Sequence, residues 1–183
     1  MLEACGEKGY RNVSVQHLID RYGGSRHQFY AHFANKEECY ADAYEMEIER
    51  QYASLMETIR AEDSWSQGLL EALRRTAAFL DERPALARGL FVEVHVAGGR
   101  ALRKRSEMVV RLTRTLDEAR SERVDHDTAP PPMTAAFMLG SIRSFVTGAL
   151  VRNAPEEFAA EVSGFYRLLL SAFPGAETTA SSV

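Results

Sequence analysis

Apolar residues recur at every third or fourth position along most of this chain and almost nowhere at every second. Leu69, Leu73, Ala77 and Leu80 fall on one helical face, as do Leu102, Val109, Leu112, Leu116 and Ala119. Phe137, Met138, Ser141, Ile142, Phe145 and Ala149 make a third such face, and Phe158, Val162, Phe165, Leu168, Leu169 and Ala172 a fourth. Each stripe predicts an amphipathic helix with one buried side. No sustained alternation and no Asn-Gly or Asp-Gly hairpin appears between β-branched runs, so the expected fold class is all-α.

The breaks are as readable as the stripes. Arg83-Pro84 ends one helix and begins the next, because a proline ring disfavours the helical conformation of the residue before it. Gly98-Gly99 separates two more, and Asp125 to Pro132 is a polar, proline-rich loop. Asn153-Ala154-Pro155 is the final turn, with Pro155 suited to a first helical position. From Pro174 onward PGAETTASSV carries no apolar stripe, which predicts a disordered tail over 174–183.

The segment Gly9 to Tyr44 holds three helix starts in quick succession. Ser14 is a good cap for VQHLIDRY, since its hydroxyl accepts a bond from an otherwise unpaired amide of the first turn. Gly23-Gly24 breaks that helix, and Ser25 caps a second, RHQFYAHF, whose Phe29, Tyr30 and Phe33 can pack back on the first. Two short helices about a glycine turn make a helix-turn-helix. Asn35 caps a third helix, and its free amides with the Lys36 ammonium offer a place for a phosphate.

These residues resemble the TetR family of transcriptional regulators. The resemblance runs through Gly9-Tyr10, Ser14-Val15, Gly23-Gly24-Ser25, Phe29-Tyr30-Ala31-His32-Phe33 and Lys36-Glu37, about a quarter of the chain. It implies a three-helix DNA-binding domain over 1–45 and a helical effector-binding and dimerisation domain over 46–173. It further implies that Arg26, His27 and Gln28, following Ser25, face base edges. Tyr30, His32 and Lys36 would hold phosphates, with Ser14 and Gln16 doing so from the preceding helix. Arginine pairs bidentately with guanine and glutamine with adenine, while phenol, imidazole and ammonium groups suit phosphate. Two departures from the family pattern stand out: MLEACGEKGY aligns with only the second half of the family's first helix, and Gly24 stands where a valine-like residue is usual.

Composition narrows the function further. The 183 residues are 45% hydrophobic and 26% charged, as in a globular protein, and their net charge is -4, so DNA binding must come from a local patch. Even the first 45 residues are net acidic, which leaves placement rather than total charge to decide. Cys5 and Cys39 fit no zinc or C-x-x-C spacing and are expected as reduced, packed thiols. No run of about 18 uncharged apolar residues is present, and a cytoplasmic location without membrane is expected. None of the common catalytic motifs occurs, and Asp125-His126-Asp127 lacks metal partners at defined spacing. No catalytic residue, metal or cofactor is therefore expected.

For the larger part, a ligand pocket is expected among Trp65, Leu69, Phe91, His95, Met108, Leu112 and Phe137, with His95 as polar anchor. A hydrophobic or aromatic effector is expected, because no cluster of Arg or Lys falls on an otherwise buried face. Met138, Ser141, Ile142, Phe145, Phe165, Leu168 and Leu169 are the expected homodimer interface, four helices formed from two subunits. The basic run Arg100, Arg103, Lys104 and Arg105 could suggest an anionic partner but reads more simply as a solvated helix start. The expected whole is a repressor released from a palindromic double-stranded DNA operator by a small molecule. A helix-turn-helix protein without effector and a helical enzyme or adaptor are the alternatives.

Overall fold

The computed structural model describes residues 1–121 and 133–172, and the described residues are helical without a strand. The amino-terminal helices are α1 (Leu2–Lys8), α2 (Val15–Tyr22) and α3 (Arg26–His32), followed by the long α4 (Lys36–Ala61). The bundle continues with α5 (Trp65–Glu82), α6 (Pro84–Phe91), α7 (Gly99–Ser121), α8 (Thr134–Val151) and α9 (Glu156–Ala172). Pro84 opens α6 as expected, whereas α9 begins one residue after Pro155. The Asp125-His126-Asp127 segment and the expected tail at 174–183 lie outside the described residues.

The expected boundary at residue 45 falls inside α4, which runs through it unbroken. The hydrophobic core ignores it as well. Leu2, Cys5, Val13, Leu18, Tyr40 and Tyr44 form one cluster with Leu86, Leu90 and Val94, so α6 and the turn after it complete the amino-terminal core. Tyr40 is fully enclosed there, and its hydroxyl donates to the Gly89 carbonyl. Cys5 and Cys39 are both buried free thiols, and burial pushes the Cys5 thiol up to about 12.

The contact of α1 with α6 is made backbone to backbone. A β-carbon placed on Gly6 would lie 1.8 Å from the Ala85 carbonyl oxygen, and one on Gly89 would lie 2.4 Å from that of Leu2. Only hydrogen fits at both positions, which fixes the two helices at a separation no other residue pair permits. Arg88 adds a bond from Nε to the Gly6 carbonyl at 3.2 Å and another to the Leu150 carbonyl, tying α6 to the end of α8.

A second cluster lies between α5, α6, α8 and α9 and includes Trp65, Leu69, Leu80, Met138, Leu150, Phe158 and Leu169. Helices α4 and α7 run side by side in the same direction, joined by a ladder of ion pairs. Arg100 meets Asp42 at 2.5 Å, Lys104 meets Glu45 at 2.6 Å and Arg111 meets Glu49 at 2.7 Å. Part of the basic run read as a solvated helix start is thus neutralised by α4. Helix α8 is long and apolar enough to cross a membrane by length and composition, but here it packs in the bundle against α6, α7 and α9.

Candidate DNA-reading face and ligand chamber

The helix-turn-helix is built by its caps. Ser14 Oγ accepts from the His17 amide at 3.2 Å while the His17 ring accepts from the Ser14 amide, a reciprocal box that starts α2. Leu18 is the buried anchor of that helix, and the chain leaves it through Gly23 and Gly24 at φ 83° and 104°, values that favour glycine. Ser25 Oγ then accepts from the Gln28 amide at 3.2 Å, and Asn35 Oδ1 from the Glu38 amide at 2.9 Å. Helix α3 has no fully buried residue. It is held from behind by half-buried Phe29 and Phe33, whose rings lie 5.3 Å apart.

This arrangement leaves Arg26, His27, Gln28, Tyr30 and His32 exposed on α3, with Ser14 and Gln16 exposed at the start of α2. Gln16 donates to Asp20 at 2.8 Å, so its amide must exchange that bond for any other partner. Arg21 is tied to Glu7, which holds the Glu7 carboxyl below its usual pKa and links α2 to α1.

Lys36, expected to hold a phosphate, is also tied within the domain. Its Nζ donates to the carbonyls of Tyr10 and Val13, each at 2.8 Å, and lies 4.1 Å from the Tyr10 ring centroid. These bonds clamp the turn before α2 to the start of α4.

Between α4, α5, α6, α7 and α8 lies a cavity of about 610 Å³. Trp65, Leu69, Phe91, Met108 and Leu112 line it, as expected, together with Ile59, Leu73 and Val146. His95 and Phe137 do not. His95 is exposed in a short turn, Glu93–His95, and Phe137 is 73% exposed on the outer side of α8. Three of the residues expected at a dimer interface also turn inward: Met138, Ile142 and Leu169 line the chamber. Phe145 and Phe165 pack on each other and on Phe158, with centroids 5.2 to 6.3 Å apart. Ser141 and Leu168 are exposed, and beside Phe137 they mark the faces of α8 and α9 that remain uncovered.

The chamber is less uniformly apolar than the sequence suggests. Arg50, Arg75, Arg83, Arg105 and Arg143 all reach its wall. Arg50 pairs with Glu47 and Arg83 with Glu3, and Arg75 donates to Thr58 at 2.8 Å. Arg143 was missed and Arg105 was read only within a solvated basic run, although Arg105 stands three and seven positions before Met108 and Leu112, and Arg143 four after Leu139 and three before Val146. That spacing places each arginine on an apolar stripe. Among the described residues, no group of three His, Cys, Asp or Glu side chains gathers as a metal site would.

Residues 2–43 match the family model described as bacterial regulatory proteins, tetR family. The fold is similar along nearly its whole length to solved regulators. The transcriptional regulator FadR from Bacillus subtilis, in complex with stearoyl-CoA, aligns at TM-score 0.78 and 18% identity, covering 94% of this chain and 95% of that one. The fatty acid degradation regulator FadR from Bacillus halodurans aligns at TM-score 0.79 and 16% identity over the same shares. A TetR-family regulator from Syntrophomonas wolfei aligns at TM-score 0.71 and 21% identity, covering 92% and 89%. No curated protein matches the sequence.

Proposed function

We propose that this chain, a TetR-family transcriptional regulator by its amino-terminal domain, binds operator DNA as a homodimer and leaves it when a long apolar ligand fills the chamber. Arg26, His27 and Gln28 read base edges, while Ser14, Gln16, Ser25, Tyr30 and His32 set the register on phosphates. Lys36 supports that surface from behind rather than touching DNA. The uncovered faces of α8 and α9, with Phe137, Ser141, Ser144 and Leu168, join two copies so that paired α3 helices meet successive major grooves about 34 Å apart. The setting is the cytoplasm, and the operator is palindromic because the dimer is two-fold.

One observation carries the switch. Helix α6 belongs to both parts of the molecule: Leu86 and Leu90 complete the core around α1 and α4, while Leu90 and Phe91 face the chamber. A ligand that displaces Phe91 shifts a helix locked to α1 through Gly6 and Gly89, and so respaces the reading helices. It then favours the DNA-free population, for which a differential affinity of about 1 to 3 kcal/mol suffices. The chamber volume lies within the range of about 300–1,000 Å³ usual for small-molecule sites. The stearoyl-CoA held by a protein of the same fold supports an acyl chain as the apolar part.

Gel retardation on DNA flanking the protein's own gene tests the reading. A retarded complex that dissolves on addition of stearoyl-CoA is expected. Arg26→Ala should retain general DNA affinity while relaxing base preference. A complex unaffected by any long-chain ligand leaves a DNA-binding protein without effector. Sedimentation tests the pairing: Phe137→Glu with Leu168→Glu should convert a dimer to a monomer that keeps its helical content.

A further inference from the structure

The arginines of the chamber wall divide into two kinds. Arg50 and Arg83 are matched by carboxylates, and Arg75 by a hydroxyl. Arg105 of α7 and Arg143 of α8 have no hydrogen bond or ion pair among the described residues, although both are half-buried and both line the cavity. Two partly desolvated guanidinium groups without a counter-ion are costly to hold together, and an anion placed between them would relieve the cost.

Their surroundings sharpen this. Tyr44 is 2% exposed and lines the same chamber, whereas His95 is exposed and does not. Burial lowers the Arg143 pKa and the charge of Arg105 lowers it further, so the two guanidinium groups repel one another. Partial burial and then the fields of Arg105 and Arg143 likewise keep His95 below its ordinary value. Tyr44 is pushed up to about 12 by burial, against the opposing pull of the same arginines, and remains a neutral phenol able to donate. The chamber wall also includes the apolar Met108, Leu112, Met138 and Leu169.

We infer that Arg105 and Arg143, with the Tyr44 hydroxyl beside them, form a subsite for the anionic head of an amphiphilic ligand whose hydrocarbon tail fills the rest of the chamber. This rests on the reading of the cavity as an effector site and narrows the hydrophobic or aromatic ligand expected from the sequence to an anion-headed long-chain compound. The anion is either the carboxylate of a free fatty acid or a phosphate of an acyl thioester. A guanidinium pair recognises both through charge-assisted bonds.

Calorimetric titration of the full chain with stearate, stearoyl-CoA and stearyl alcohol, each below its aggregation threshold, separates the possibilities. Wild type should bind at least one of the anions about tenfold or more tighter than the alcohol, as charge-assisted bonds contribute on that scale. Arg105→Met and Arg143→Met should each lose that advantage while still binding the alcohol, and Arg143→Lys should recover part of it. Retained alcohol binding shows that the variants keep a folded chamber. Preference for stearate identifies a carboxylate head and preference for stearoyl-CoA a phosphate, and either supports the subsite. Equal affinity for anions and alcohol in wild type, or undiminished anion affinity in the double Met variant, overturns the subsite and leaves the chamber intact. Failure of all three probes to bind wild type overturns the chamber reading, and the subsite with it.

Discussion

The reading unit and the chamber are held together by opposite means. Helix α3 buries none of its residues fully and depends on a serine cap, a glycine turn and two half-buried phenylalanines. The chamber region buries many large side chains, Leu80, Leu90, Leu150 and Phe158 among them, yet encloses about 610 Å³ of space. A sparse, locally specified surface therefore sits on a well-packed joint, and a hollow lies on the other side of that joint. Motion is cheapest where packing is absent, so the chamber is where a ligand can do work. The α1–α6 joint, packed backbone to backbone, is the connection through which the proposed switch would act.

The largest expected effect comes from breaking the joint. Gly6→Val places methyl groups where the Ala85 carbonyl already stands 1.8 Å from a bare β-carbon, so α1 must separate from α6. A loss of about 3 kcal/mol is expected in urea denaturation, at the upper end for overpacking. Gly140→Val is the contrast, since nothing lies within 4 Å of a β-carbon there. It should leave the isolated subunit's core intact, and any effect should show in sedimentation.

Lys36→Met comes next and separates two roles for one residue. An ammonium bonded to two carbonyls contributes to folding, and its removal should cost about 2 kcal/mol in denaturation. A phosphate-binding lysine would instead leave stability unchanged and flatten the salt dependence of operator binding by about one counter-ion. Ser25→Ala ranks third, at about 1 kcal/mol for a lost cap. Because the cap shapes α3 alone, operator affinity should fall while ligand affinity stays constant, a split readable by gel retardation beside calorimetry.

The same contrast explains what the sequence could disclose. Caps, glycine turns and the break before Pro84 are local, and Ser14, Ser25 and Asn35 each accept the expected amide bond. The outward placement of Arg26, His27 and Gln28 came instead from the family resemblance, and all three are exposed. Facing was harder on α8, where 137, 138, 141, 142 and 145 are apolar or small almost all round, so no stripe singles out an inner side. Packing alone turned Met138 and Ile142 inward and Phe137 outward. The intramolecular bonds of Lys36 were not legible, because its carbonyl partners belong to a turn more than twenty residues earlier. The place of Arg105 and Arg143 on apolar stripes was legible, but their lack of a partner is a tertiary property that spacing does not disclose.

The smallest effect is expected at the seam between α4 and α7, and it tests which connection carries the signal. Arg111 bonds Glu49 at 2.7 Å and lies 4.0 Å from the Tyr52 ring centroid, but both charged side chains are about half exposed. Water and salt screen such a pair, so Arg111→Ala should lower the urea midpoint only slightly, and less at high ionic strength. The ladder can slide by exchanging solvated partners, whereas Gly6 and Gly89 permit no such adjustment. If α6 is the transmitting element, the variant releases DNA at the wild-type ligand concentration despite its slightly lower midpoint in urea. A variant that folds normally, binds ligand normally and yet stays on DNA would place the coupling in the α4–α7 seam instead, with the ion pairs setting its register.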